Sequence, residues 1–295
     1  MVFFTFTKML SITFKNHISN FIGDFISNTQ SISGGDISKA YLIETSRKKY
    51  FLKINSNNNA LNMFNAEKMG LEAIANTNTI ATPKVFAEDV FQNNAFLILE
   101  YIESKSPNNK DFENLGQKLA ELHKHQSSDF GFIDDNFIGS LPQQNNKHNN
   151  WTVFYISQRL LPQIELAISK KLLEQKDVPD TKTMNKVCNN IFKKVSPSLL
   201  HGDLWSGNYL ISTEGEPYLI DTAVYYGHSE VDIAMSKLFG DFGASFYETY
   251  HSSFPKTKGF DARIELYQLY YLLVHLNLFG RSYYNSVKQI FNSYF

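Results

Sequence analysis

Two regimes of hydrophobic patterning meet near Ile102, and neither one sheet nor one helical bundle accommodates both. Before that point the apolar residues fall in runs of strand length. Ala40 to Glu44 and Tyr50 to Ile54 are joined by the polar Thr45 to Lys49, as in a hairpin, and Val85 to Val90 and Ala95 to Ile102 follow. The last run is almost continuously apolar, which marks a strand covered on both faces. A leading helix is expected over residues 9 to 27, where apolar positions recur at roughly helical spacing, and Ser31 to Ile37 reads as a small-residue turn. Asn62 to Ala75, with Phe64, Leu71 and Ile74, is the expected helix between the strand pairs, after an Asn-rich break at 55 to 59 and before a stop at Thr82-Pro83.

Beyond Ile102, the polar stretch Ser104 to Lys110 marks a boundary and the spacing turns helical. Leu115, Leu119 and Leu122 recur within Asp111 to Gln126, Trp151 to Ser169 is amphipathic with an interruption near Pro162, and the chain from Val231 onward is helical and rich in aromatic residues. Strand-like pieces return only at Ser198 to Leu200, Tyr209 to Ser212 and Tyr218 to Ile220. The expected class is α+β, with a small N-terminal lobe built on an antiparallel sheet over residues 1–102 and a larger, mostly helical lobe over 103–295.

Composition excludes several alternatives. With 295 residues, 43% of them hydrophobic, the chain can bury a sizeable core. Its 28 Lys+Arg against 29 Asp+Glu leave no electrostatic footprint for nucleic acid. The single cysteine, Cys188, rules out an internal disulfide framework and reads as a small buried apolar residue. No apolar run reaches the roughly 18 residues of a spanning helix, so no membrane partner is expected and a cytoplasmic location is. Met1 to Leu10 is apolar, but Lys8 interrupts it and no small-residue cleavage site follows, so it reads as mature sequence. Met9 offers a second start, which would leave residues 1 to 8 outside the protein.

The chemistry is concentrated in His201-Gly-Asp-Leu-Trp-Ser-Gly-Asn208 and the following Ile220-Asp221. Phosphoryl transfer from ATP asks a protein for positioning and charge neutralisation more than for covalent chemistry. Asp203 and Asn208, five residues apart, match a catalytic loop whose Asp receives the proton of an acceptor hydroxyl and whose Asn carbonyl ligates Mg²⁺. Asp221, after the strand-like Tyr218 to Ile220, supplies a second hard oxygen ligand from the facing strand of a hairpin. Each residue alone reads as a turn, a cap or a strand end; the order selects the chemistry.

Lys53 lies in the apolar run Tyr50 to Ile54, where an unpaired ammonium is costly. A partner is implied, and Glu67 on the next helix is the candidate, the pair then holding the non-transferred phosphates. Gly34 and Gly35 fall where a phosphate-covering turn is wanted, although read alone they form a plain hairpin turn. The backbone of Glu100, Tyr101 and Ile102 is placed to meet the adenine edge. The histidines at 123, 125, 148, 201, 228 and 275 match no zinc spacing; His201 is expected to hold the catalytic loop, and His123 and His125 to pack or cap. Asp241-Phe-Gly243 lies too far past that loop to be a protein-kinase magnesium motif.

The chain also resembles the fructosamine (ketosamine) kinases, within the aminoglycoside phosphotransferase and choline kinase group of protein-kinase-like folds. The resemblance is carried by Ser33 to Ile37, Phe51-Leu-Lys53, Met63 to Glu67 with Gly70-Leu71, Glu100-Tyr101, Leu119 to His123 and Phe130-Gly131. It continues through Asn136 to Pro142, Trp151, Gln158-Arg159-Leu160, His201 to Asn208, Ala223 to His228, Asp232 to Met235 and His275 to Gly280. It implies a two-lobe fold, ATP and Mg²⁺ as cofactors, and transfer of the γ-phosphoryl group to the 3-hydroxyl of a ketoamine such as a fructosamine or ribulosamine, free or protein-bound. A phosphate placed there is a good leaving group, so elimination releases the amine. By the same resemblance Asp203 orients the hydroxyl, Asn208 and Asp221 hold Mg²⁺, Lys53 with Glu67 positions the phosphates, and Trp205 and His228 belong to the ketoamine pocket. One departure is Thr222, where the family usually has proline after the metal-binding Asp; with the carboxylate present, Thr222 is expected to be tolerated. The residues leave open a kinase of an aminoglycoside, choline or a sugar, and a non-catalytic binding protein of the same fold. Neither the oligomeric state nor the preferred sugar is legible.

Overall fold

The computed structural model describes residues 10–32, 38–240 and 242–295. The glycine turn with Gly34 and Gly35, residues 1–9 and Asp241 lie outside the described residues. The chain divides into two compact units, one of Met1–Leu71 with Pro83–Glu103 and one of Glu72–Thr82 with Ser104–Phe295.

The first unit is a five-stranded antiparallel sheet between two helices. Its strands are β1 (Ile26–Ile32), β2 (Lys39–Thr45), β3 (Lys49–Asn55), β4 (Val85–Phe91) and β5 (Asn94–Glu100), in the order β1-β2-β3-β5-β4. β5 alternates between two cores. Phe96 and Ile98 pack with Phe14 and Ile18 of α1 (Ile12–Ile22), whereas Ala95, Leu97 and Leu99 pack with Phe64 and Leu71 of α2 (Ala60–Ala75). Its continuous apolar run therefore reflects burial on both faces.

The leading helix is shorter than its periodicity predicts. Gly23 adopts φ 65° and sends its backbone N–H to Ser19 O, a left-handed cap that ends α1 at Ile22. Residues 26 to 32 then form β1. Polar residues fill Ser27 to Ser31, which suits an edge strand with one neighbour and hides it from a search for apolar alternation.

In the second unit, β6 (Ser104–Lys105), β10 (Tyr209–Ser212) and β11 (Pro217–Leu219) form a small sheet, while β7 (Asn136–Ile138) pairs with β8 (Leu141–Gln143) and β9 (Ser198–Leu200) with β12 (Tyr225–Gly227). The remainder is helical: α3 (Asn109–His123), α4 (Trp151–Phe154), α5 (Leu161–Ser169), α6 (Thr181–Ile191), α7 (Glu230–Leu238), α8 (Ala244–Ser253), α9 (Phe260–Phe279) and α10 (Tyr284–Tyr294). α9 is apolar nearly all round and runs through the core, with Leu266, Tyr267, Leu269, Tyr271, Leu273 and Leu276 inaccessible to solvent. The interruption expected near Pro162 is a π-helical stretch, Tyr155–Leu160, between α4 and α5. Pro162 has no N–H for the carbonyl of Gln158, and the Arg159 guanidinium donates to that oxygen instead, at 3.0 Å.

Candidate active site

The hairpin β10–β11 brings the two ends of the catalytic segment together. Tyr209 pairs with Leu219, so Asn208 before β10 lies opposite Ile220 and Asp221 after β11, and the Ile220 N–H donates to Asn208 O at 3.1 Å. The Asn208 side-chain amide nitrogen is 2.8 Å from Asp203 O, 3.2 Å from Asp203 Oδ2 and 3.4 Å from Asp221 O. These contacts fix the amide orientation, because only its NH₂ end can donate to three oxygens. The carbonyl end of Asn208 is thereby turned away from Asp203 and accepts no hydrogen bond among the described residues. A carboxamide oxygen and a carboxylate are hard donors of the kind Mg²⁺ takes, and the Asn208 amide contact to Asp221 O holds the two residues together.

Asp221 has φ 54°, in the left-handed region that non-glycine residues rarely occupy. Such a conformation persists where the surroundings over-determine it, and it clusters at functional sites. Burial raises the Asp203 carboxyl to about 7, with the nearby Asp221 charge adding to the effect and the Asn208 hydrogen bond opposing it. A carboxyl poised there can take a proton from a hydroxyl at neutral pH.

His201 holds the loop, as expected. Its Nε2–H donates to Ile220 O at 2.9 Å and its Nδ1 accepts from the Asp203 N–H at 3.1 Å, a pattern that requires the neutral ring, and burial lowers its pKa accordingly. Behind it stands a residue that motif spacing did not single out. Asp232, in the first turn of α7 and inaccessible to solvent, accepts from the backbone N–H of His201 at 2.8 Å and of Gly202 at 2.9 Å. His123 Nε2 lies 3.1 Å from the same carboxylate and its Nδ1 lies 2.8 Å from Tyr250 O–H. His123 therefore neither caps α3 nor merely packs; it completes a buried chain from Tyr250 to the catalytic loop. Gly202 has φ 85°, its carbonyl accepts from Tyr271 O–H at 2.7 Å, and a side chain there would overlap the Ala223 carbonyl. In the sequence, Asp232 was marked by the resemblance over Asp232 to Met235 and as an acidic residue inside an apolar helix, without a role.

Trp205 lies on the same turn, half-exposed, with its ring folded over Gly207. His228 is anchored deeper: its Nδ1 is 2.7 Å from Tyr267 O–H, which also accepts from Trp151 Nε1 at 2.9 Å, and burial pushes its pKa down to about 3. It is thus a neutral ring at all ordinary pH.

In the first unit, Lys53 on β3 faces α2 together with Phe51 and Leu97, and its Nζ is 2.7 Å from Glu67 Oε1. Both side chains are mostly buried, so the ammonium is held in one place. Glu67→Gln is expected to raise KM for ATP about tenfold or more, by analogy with the 10–100-fold effects of supporting partners on a bound ligand, with a smaller change in acceptor KM; steady-state kinetics at varied ATP check this. Glu100 closes β5, where its N–H bonds Lys84 O at 2.8 Å, and the strand ends there, leaving Tyr101 and Ile102 in open backbone.

The family model for fructosamine kinase matches residues 10–295. The chain belongs to the fructosamine kinase family. A Synechocystis protein named as a probable ketoamine kinase is 39% identical over 268 residues, covering 90% of this chain and 89% of its own. A rice protein named protein-ribulosamine 3-kinase, chloroplastic, is 39% identical over 274 residues, covering 91% and 79%. A solved structure from Haemophilus somnus, named as a candidate fructosamine-3-kinase, superposes with a TM-score of 0.85 at 27% identity over 95% of this chain and 96% of its own. The α+β, protein-kinase-like fold implied by the resemblance is the fold observed. Among the described residues no helix is long and apolar enough to cross a membrane.

Proposed function

We propose that this member of the fructosamine kinase family transfers the γ-phosphoryl group of ATP to the 3-hydroxyl of a ketoamine, of the fructosamine or ribulosamine type, in the cytoplasm. The observation that carries the reading is the junction of Asp203, Asn208 and Asp221, in which the Asn208 amide donates to Asp203 and to the Asp221 backbone carbonyl, with burial holding the Asp203 carboxyl up at about 7. Asp203 orients the acceptor hydroxyl and takes its proton as the oxygen attacks phosphorus. Asn208 and Asp221 would hold Mg²⁺, which when bound neutralises charge on the phosphates. Lys53, fixed by Glu67, positions the non-transferred phosphates. Trp205, exposed on the catalytic turn, and His228 are assigned to the acceptor side.

The 3-position gives the reaction its consequence. A phosphate on C3 neighbours the C2 carbonyl, so loss of a proton from C1 gives an enaminol that expels inorganic phosphate, and hydrolysis of the resulting imine frees the amine. The relatives named for ketoamine and ribulosamine substrates support this acceptor class. The test is turnover of a panel with Mg-ATP: fructoselysine, ribuloselysine, choline, kanamycin and free ribulose, followed by ADP release and phosphorus NMR of the product. One or both ketoamines are expected to give a 3-phosphate, and turnover confined to choline or kanamycin would overturn the acceptor assignment.

A further inference from the structure

Asp221 is in the left-handed region, and Thr222 lacks the ring that would fix the backbone after it. The Thr222 hydroxyl is buried and has no hydrogen-bond partner among the described residues. The two carbonyls that follow, of Ala223 and Val224, are gripped by side chains from a hairpin distant in sequence.

Gln143, at the end of β8 and 2% exposed, donates from Nε2 to the Ala223 carbonyl at 3.1 Å and to Asn136 Oδ1 at 2.7 Å. Asn136 in turn donates from Nδ2 to the Val224 carbonyl at 2.7 Å, and Tyr270 O–H of α9 donates to Gln143 Oε1 at 2.7 Å. The orientation of both amides is forced, because two backbone carbonyls can only accept. The hairpin that presents them is itself held. Arg159 donates to Gln144 O and, at 2.7 Å, to Asn145 Oδ1, and its guanidinium lies 3.9 Å from the centre of the Tyr225 ring. Gly131 and Tyr226 exchange both backbone hydrogen bonds.

The carbonyl that Gln143 grips is also the one pressed against Gly202, and the Ala223 N–H donates to His201 O at 2.9 Å. One side chain therefore bears on the residue before the catalytic Asp203 and on the residue two after the metal-side Asp221. We infer that Gln143, backed by Asn136 and Tyr270, is a positioning residue that sets Asp203 and Asp221 relative to each other, the task that local rigidity at position 222 does not perform in this chain. The inference rests on the kinase reading above, in which these two carboxylates act together.

Gln143→Met keeps the length and volume of the side chain and removes its hydrogen bonds; Tyr270→Phe removes only the donor behind it. Supporting residues of this kind typically change metal affinity or activity by about 10–100-fold. Gln143→Met is expected to lower kcat and raise the Mg²⁺ concentration needed for half-maximal rate within that range, with the acceptor KM unchanged, and Tyr270→Phe to shift both in the same direction by less. The Mg²⁺ dependence of AMP-PNP binding, read by calorimetry, should shift in parallel. That measurement involves no acceptor, so failure of the ketoamine panel leaves it readable. Variants that melt earlier while keeping wild-type kcat and Mg²⁺ dependence would show a purely structural role and overturn the inference. Should Gln143→Met not fold, Tyr270→Phe decides by the same readouts.

Discussion

Asp203→Asn lowers turnover by about 10²–10⁴-fold, the range a positioned general base contributes, and at the same time raises the melting temperature above pH 7. The two effects have one cause. Burial and the neighbouring Asp221 charge hold the Asp203 carboxyl at about 7 against an ordinary value of 3.8. In the unfolded chain that proton leaves near the ordinary value; in the fold it stays until about pH 7. Between those limits the folded state binds more protons than the unfolded one, so stability falls as pH rises and the loss is complete above the folded pKa. Asn has nothing to ionise and escapes that loss. For the wild type, kcat/KM at subsaturating Mg²⁺ should decline as pH drops below about 7, because only the carboxylate can take the hydroxyl proton. Occupation of the Asp221 side by a cation offsets the charge that helps hold the value up, so raising Mg²⁺ should move this limb to lower pH. Rate–pH profiles at two Mg²⁺ concentrations, with thermal melts of both proteins at pH 5 and pH 8, check the set. A variant with wild-type turnover would remove Asp203 from the mechanism.

Asp232→Ala is expected to destabilise the protein by about 3–5 kcal/mol, since it leaves several buried donors without an acceptor at once, and to abolish activity without touching a substrate atom. The carboxylate accepts from two backbone N–H groups and sits against His123, all in the solvent-free interior. Alanine leaves each of these donors unsatisfied, and a buried orphan donor costs about 1–3 kcal/mol. Asn is little better, since its NH₂ end must face one of the donors that the second carboxylate oxygen now satisfies. Domains of this kind have about 5–15 kcal/mol in reserve, so the variant is marginal rather than simply weakened. Urea unfolding followed by fluorescence gives the stability change; a loss below about 1 kcal/mol would mean that the latch is not what holds the loop.

Much of the first unit was legible because strand and helix alternate in short apolar runs, and Lys53 announced its partner by standing charged inside one of them. The leading helix was overdrawn because a periodic pattern does not show where a left-handed glycine will end it, and β1 went unseen because an edge strand with two polar faces has no pattern to find. In the second unit, the spacing of Asp203, Asn208 and Asp221 was readable since a loop and a hairpin bring near neighbours in sequence together.

The sequence by itself determined the family whose pattern the chain follows and which residues to propose for the hydroxyl, the metal and the phosphates. Tertiary structure alone decided what holds them there. Asp232 and His123 are 109 residues apart, and Gln143 lies 80 residues from Ala223; neither pair leaves a local periodicity or spacing to read. A buried hydrogen bond between distant residues is specified by the packing of whole helices and hairpins, and the burial that lifts Asp203 toward neutrality is a property of that packing as well.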